Sequence, residues 1–202
     1  MHLKQLKQEY IQGIYQSKAL LVKEEPFTLQ SGKKSHIYLN HRNFLSQWHY
    51  IALVANIYHQ LANEIDSEFV LGAVDSIMSP ILVGAMCTMY KKNYVVVKKM
   101  PLKHGTQEYI YGEMRSNTVL IDDMTSTGDT LLDAAEKIRL TGGKVEYAII
   151  SAYREDTAIH NLKSQGIKLL SIVSFEEIID HLKPSFSPME LNIINQSQLI
   201  FE

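Results

Sequence analysis

The chain has 202 residues, 46% of them hydrophobic and 21% charged, with a formal net charge of -2. Such a length fits one domain with a small appended hood or arm, and the composition is that of a soluble globular protein with a substantial core. A charge this near zero excludes a broad cationic surface, and with it nucleic acid or an anionic membrane as the main partner; any positive charge needed for an anionic ligand must be local.

Leu3, Leu6, Tyr10 and Ile14 recur at helical spacing and predict an amphipathic first helix. Pro26 ends any helix, and Phe27–Leu29 and His36–Leu39 read as short strands around the turn Ser31-Gly32-Lys33. Ser46 is a candidate N-cap for a helix running to about Ile65, with Trp48 near its start as a packing or interface aromatic. A regular alternation follows, with strands at Phe69–Gly72, Tyr94–Val97, Thr118–Ile121, Val145–Ala152 and Leu169–Val173. Helices are expected at Pro80–Tyr90, Thr130–Leu140 and Thr157–Gln165. Strands and helices in this order predict a mostly parallel sheet covered on both faces. Two capping-box patterns, Ser174 with Glu177 and Ser187 with Glu190, open two closing helices. The organisation expected is an N-terminal helix, hood strands and first long helix over 1–64, a core over 65–175, and closing helices over 176–202.

The lone Cys87 cannot form an internal disulfide, which fits a reducing compartment; inside the apolar run from Ile81 it is expected to be a buried, inert thiol. The N-terminus lacks a signal-peptide core, and no apolar run approaches the ~20 residues of a membrane span. A cytoplasmic protein is expected. None of the eight histidines forms a pair with structural-zinc spacing.

The most informative stretch runs from Val119 to Leu131, where an apolar strand ends in Asp122-Asp123 and a hydroxyl-rich loop with one glycine leads into a helix. Free N–H groups at a helix start bind a phosphate dianion, and Thr125, Ser126, Thr127 and Thr130 add hydroxyl donors around Gly128 and Asp129. Carboxylates repel phosphate, so two of them here must hold something else, such as sugar hydroxyls or a bridging Mg²⁺. The plainer alternative is an exposed acidic turn capped by Asp129 or Thr130.

This stretch resembles the signature of type I phosphoribosyltransferases. The resemblance implies their α/β fold, with a central mostly parallel sheet flanked by helices and a small N-terminal hood. It further implies that Asp122 and Asp123 hold the ribose of phosphoribosyl pyrophosphate while Thr125 to Thr130 wrap its 5-phosphate, and it assigns Asp123 to the catalytic set. Phe27 to Arg42 is similar to the N-terminal region of orotate phosphoribosyltransferases, with Phe, Leu, Ser-Gly, Ser, Tyr and Arg in the family's order. Lys98-Lys99-Met100-Pro101-Leu102-Lys103-His104-Gly105 resembles that family's mobile basic loop, which implies pyrophosphate contacts for Lys98 and catalytic roles for Lys99, Lys103 and His104. Tyr153-Arg154-Glu155 resembles its Asp-Arg-Glu, whose arginine meets the orotate carboxylate. The implied chemistry is transfer from phosphoribosyl pyrophosphate to orotate by a homodimer, with Mg²⁺ carried by the substrate and Asp122 as its one candidate protein ligand. Leu102 stands where the family has lysine, and the turn Ala73–Pro80 carries Asp75 where Gly or Lys is common. A phosphoribosyltransferase for another base, or a non-catalytic binder of the same sugar phosphate, are the alternatives.

Overall fold

A computed structural model describes residues 2–29, 32–101, 108–113 and 117–198. Helix α1 (Leu3–Gln16) buries Leu6, Tyr10, Ile11 and Ile14, the face its periodicity predicts. Strands β1 (Leu20–Thr28) and β2 (Lys34–Leu39) pair antiparallel as the hood. β1 starts at Leu20, well before the predicted Phe27, because the register breaks between Val22 and Phe27 and Pro26 falls in that irregularity.

A short helix, α2 (His41–Phe44), was not foreseen. Asn40 caps it by accepting from the Asn43 N–H at 3.3 Å. Ser46 closes that turn by donating to the Asn43 carbonyl at 2.7 Å instead of starting the next helix. Helix α3 (Trp48–Ala62) follows; Trp48 is 80% exposed, which rules out a role in core packing.

Then come β3 (Val70–Ala73), α4 (Ser79–Tyr90), β4 (Tyr94–Val97), β5 (Ile110–Tyr111), β6 (Asn117–Ile121), β7 (Met124–Thr125), α5 (Asp129–Leu140), β8 (Lys144–Tyr153), α6 (Thr157–Ser164) and β9 (Lys168–Ser174). α7 (Phe175–Leu182) and α8 (Pro188–Gln198) both start at the predicted capping boxes. The sheet runs β5-β4-β3-β6-β8, with β9 on one edge of β8 and β7 continuing the β6 edge. Every pairing in it is parallel except that of β5 with β4. The two-residue strands β5 and β7 are too short to leave an alternation in the sequence.

One continuous apolar cluster joins Leu6 and Tyr10 of α1, Tyr58 of α3, Leu71, Ile121 and Ile149 of the sheet, and Ile178 and Leu182 of α7. A second lies under α5, from Leu131 and Ile138 to Leu120, Ile150 and Leu162. Each such fully buried side chain contributes about 1.5–3 kcal/mol, so helices packed on both faces hold the sheet in place beneath the site. Cys87 is half-buried, not enclosed as expected; burial still pushes its thiol up, which keeps it unreactive. Among the described residues no helix is long and apolar enough to cross a membrane.

Candidate active site

In an open α/β sheet, ligands sit beyond the carboxyl ends of the strands. The ends of β3, β4, β6 and β8 lead here to Asp75, Lys98, Asp122-Asp123 and Arg154. The loop between β7 and α5 is built for tight curvature: Gly128 takes φ +89°, and its N–H donates to Thr125 Oγ1 at 2.9 Å. Asn161 of α6 donates to the Thr127 carbonyl at 2.9 Å and fixes the loop from behind. The first-turn N–H groups of Asp129, Thr130 and Leu131 have no intrahelical acceptor, as at any helix start. Ser126, Thr127 and Thr130 are half-buried around them. Exposed Asp129 accepts from Thr127 Oγ1 at 2.8 Å, so its charge is turned onto the loop. The arrangement can seat a phosphate group.

Asp122 and Asp123 occupy the break between β6 and β7, where the backbone stays bonded to β8 through Asp122 N–H to Ile149 and Ser151 N–H to the Asp123 carbonyl. That jog sends the two carboxyls different ways. Asp122 is 4% exposed; its Oδ1 accepts from Ser76 Oγ at 2.8 Å and from the Asp123 N–H at 2.9 Å, which fastens the turn after β3. Asp123 keeps an exposed edge and bonds His41 Nδ1 at 3.2 Å. Behind the pair, Tyr58 donates to the Asp122 carbonyl at 2.7 Å and, having no second proton, accepts from Ser151 at 2.8 Å. The resemblance gives both acids to the ribose; the geometry turns Asp122 inward and Asp123 outward.

Their protonation separates too. Burial, and then the Asp123 charge, pushes the Asp122 carboxyl up to about 7. Burial acts on Asp123 in the same direction, but the His41 hydrogen bond and the neighbouring Asp122 outweigh it and hold this carboxyl below its ordinary value. An acid raised by folding binds a proton in the native state that the unfolded chain has released, so its contribution weakens as pH rises from about 4 to 7. Asp123 works at the other end, below its ordinary 3.8. Asp122→Asn should therefore flatten the decline in melting temperature between pH 5 and 7 relative to the natural chain. Parallel melting curves for the two proteins would refute the assignment.

The cations divide as well. Lys98 Nζ meets Asp75 Oδ1 at 2.7 Å, and the Lys99 N–H donates to Asp75 Oδ2 at 3.0 Å. Burial raises the Asp75 carboxyl, but these two partners outweigh it and leave it lowered. The unusual turn residue thus anchors the start of the basic stretch. Lys99 itself is exposed; Leu102, Lys103, His104 and Gly105 lie outside the described residues. Arg154 reaches the hood, donating to Ser35 Oγ at 3.3 Å and the Ile37 carbonyl at 3.2 Å, and lies 4.0 Å over the Phe175 ring. Its fork has five donors, so capacity remains for a carboxylate. Lys33 braces the same junction by bonding both Glu155 oxygens at 2.9 and 3.0 Å. Two shallow grooves, one lined by Glu146, Lys163 and Lys168 and the other by His59, Asp66 and Lys92, open at the amino ends of the strands, away from this chemistry. Sequence reasoning missed Ser76, Tyr58, Tyr10 and His41; no local spacing links any of them to the acidic pair.

The sheet, hood and phosphate-ready loop together have the fold of type I phosphoribosyltransferases. Orotate phosphoribosyltransferase from Aeropyrum pernix superposes with a TM-score of 0.73 at 19% identity, covering 86% of this chain and 99% of that one. The Mycobacterium tuberculosis enzyme in complex with phosphoribosyl pyrophosphate superposes with a TM-score of 0.68 at 18% identity, covering 86% of this chain and 98% of that one. No protein-family model matches the chain. Orotate phosphoribosyltransferase from Sulfolobus acidocaldarius is 30% identical over 176 residues, 86% of this chain and 87% of the relative. The chain belongs to the orotate phosphoribosyltransferase family.

Proposed function

We propose that the protein transfers the 5-phosphoribosyl group from phosphoribosyl pyrophosphate to orotate, giving orotidine 5'-monophosphate and pyrophosphate. The observation that carries this reading is the juxtaposition, beyond the carboxyl ends of β6 and β8, of the α5 N-terminus, an outward Asp123 carboxylate and the Arg154 fork. The first suits a sugar's terminal phosphate, the second its ribose hydroxyls, and the third a carboxylated base. With no nucleophile needed in the protein, catalysis is positioning plus stabilisation of departing charge. Orotate attacks the anomeric carbon as the bond to pyrophosphate breaks, through an oxocarbenium-like transition state.

Mg²⁺ fits this wall. Asp123 presents a carboxylate to an anionic substrate, with Asp75 nearby already paired to Lys98, and an oxygen-bound cation would relieve the remaining repulsion. Buried Asp122 stands behind Asp123, so the outward Asp123 is the carboxylate that would face a substrate-borne ion. Bound there, the ion supplies charge neutralisation at the pyrophosphate oxygens. The active form we infer is a homodimer whose basic loops complete each other's sites. Its support is α4, whose twelve residues carry no charged side chain and which, with the preceding loop, turns Ile77, Ile81 and Met89 to solvent. A cytoplasmic setting accords with the lone Cys87.

A pyrophosphate-release assay across a panel of bases tests the reading: turnover with orotate alone supports it, and turnover with a purine defeats it. The Asp75–Lys98 pair favours one rival, a non-catalytic binder, because it occupies a cation expected at the pyrophosphate; binding without turnover is that rival's signature. Arg154→Ala should raise the KM for orotate by about tenfold or more, the loss of a charged hydrogen bond. The KM for phosphoribosyl pyrophosphate should stay within about twofold, and Arg154→Lys should not restore orotate, since an ammonium lacks the planar fork. Equal rises in both KM values would remove Arg154 from base recognition.

A further inference from the structure

We propose that His41 is a positioning residue that aims Asp123 at the ribose, with Tyr10 fixing the imidazole proton on the side that faces the acid. The inference rests on the reading of Asp123 as a ribose-binding carboxylate. His41 is 2% exposed and engaged at both ring nitrogens: Nδ1 meets Asp123 Oδ2 at 3.2 Å, and Nε2 meets the Tyr10 hydroxyl at 3.0 Å. Phe44 stacks on the ring with centroids 5.4 Å apart and planes at 28°, and Tyr10 meets it edge-on at 5.9 Å. The imidazole therefore has neither water to turn toward nor space to turn in.

An ionised carboxylate only accepts, so Nδ1 carries the proton in that bond. In the neutral ring Nε2 is then an acceptor, and the Tyr10 O–H, whose pKa burial pushes far above the ordinary phenol value, donates to it. A three-residue chain thus runs from α1 through α2 to the jog between β6 and β7. It occupies one carboxylate oxygen of Asp123 and leaves the remaining lone pairs set in direction before substrate arrives. Unlike a metal-ligating histidine, this one acts wholly through its neighbour.

Two substitutions separate positioning from packing. His41→Asn keeps an N–H near the place of Nδ1 and gives up Tyr10; His41→Gln reaches Tyr10 and withdraws the donor from Asp123. The natural chain, both variants and Tyr10→Phe would be titrated with phosphoribosyl pyrophosphate by calorimetry, melted, and assayed for KM and kcat with orotate. His41→Gln should weaken phosphoribosyl pyrophosphate binding about tenfold, the scale of one charge-assisted hydrogen bond. His41→Asn should stay within about threefold, and neither should move the KM for orotate by more than about twofold. If Asn and Gln weaken binding equally, or if binding follows the fall in melting temperature, His41 is only packing and the inference is overturned. The calorimetry reads the sugar phosphate alone, so a chain that binds it tightly and ignores orotate defeats the proposed function while His41 is still judged by the Asn–Gln contrast.

Discussion

Asp123→Asn is expected to raise the KM for phosphoribosyl pyrophosphate by roughly 10- to 100-fold, the range of one or two charge-assisted hydrogen bonds at about 1.5–3 kcal/mol. The amide fills the same space, but it must turn either its NH₂ toward the His41 Nδ1 donor at 3.2 Å or its oxygen there and its NH₂ toward the ligand. The first sets two donors against each other and the second turns a donor toward the ligand, so neither orientation serves His41 and the ribose hydroxyls together. The fold should survive at neutral pH. The carboxyl's lowered value means that its stabilisation is present above the ordinary 3.8 and is lost as pH falls through the folded value. The variant should thus lack this carboxyl's share of the acid-side fall in stability below pH 4. Steady-state kinetics and melts at pH 3 to 7 check both parts; an unchanged KM would remove Asp123 from the ribose.

Gly128→Ala is the second large effect. At φ +89° a side chain costs about 1–2 kcal/mol, and a Cβ there would stand 3.2 Å from Leu162 Cγ and 3.5 Å from its Cδ1. Leu162 is fully buried and belongs to the cluster beneath α5, so it has little room to yield. A fall in melting temperature of about 2–8 °C follows for a chain of this size. The larger consequence is local: relaxing the strain tilts the loop and the first-turn N–H groups away from their common focus, and phosphate affinity should fall more than stability accounts for. Calorimetric titration of phosphoribosyl pyrophosphate checks this, and intact affinity would place the phosphate elsewhere.

The loop at the heart of the site was legible because its signals are local. The apolar run Val119–Ile121, the acidic pair, the hydroxyls, Gly128 and the start of α5 follow one another without interruption, and each reports its own backbone state. The capping boxes at Ser174 and Ser187 were readable for the same reason. What was hidden depends on distant partners. Nothing near residue 41 announces a bond to residue 123, and nothing at Asp75 announces that Lys98, a strand away, will neutralise it. The unlike fates of Asp122 and Asp123 come from the jog between β6 and β7, a feature of sheet pairing that the acidic dipeptide does not encode by itself. Strand β1 was misplaced because Pro26 reads as a stop, whereas a register break lets the chain carry it through.

The uncharged helix α4 has a thermodynamic consequence. Contact between copies through Ile77, Ile81 and Met89 would be driven by water released from apolar surface, which near room temperature is an entropic force with a large heat-capacity change. Such a pair tightens on gentle warming and barely responds to ionic strength, the reverse of a salt-bridged pair. If copies pair through this face, dilution in the cold, not added salt, would release single subunits.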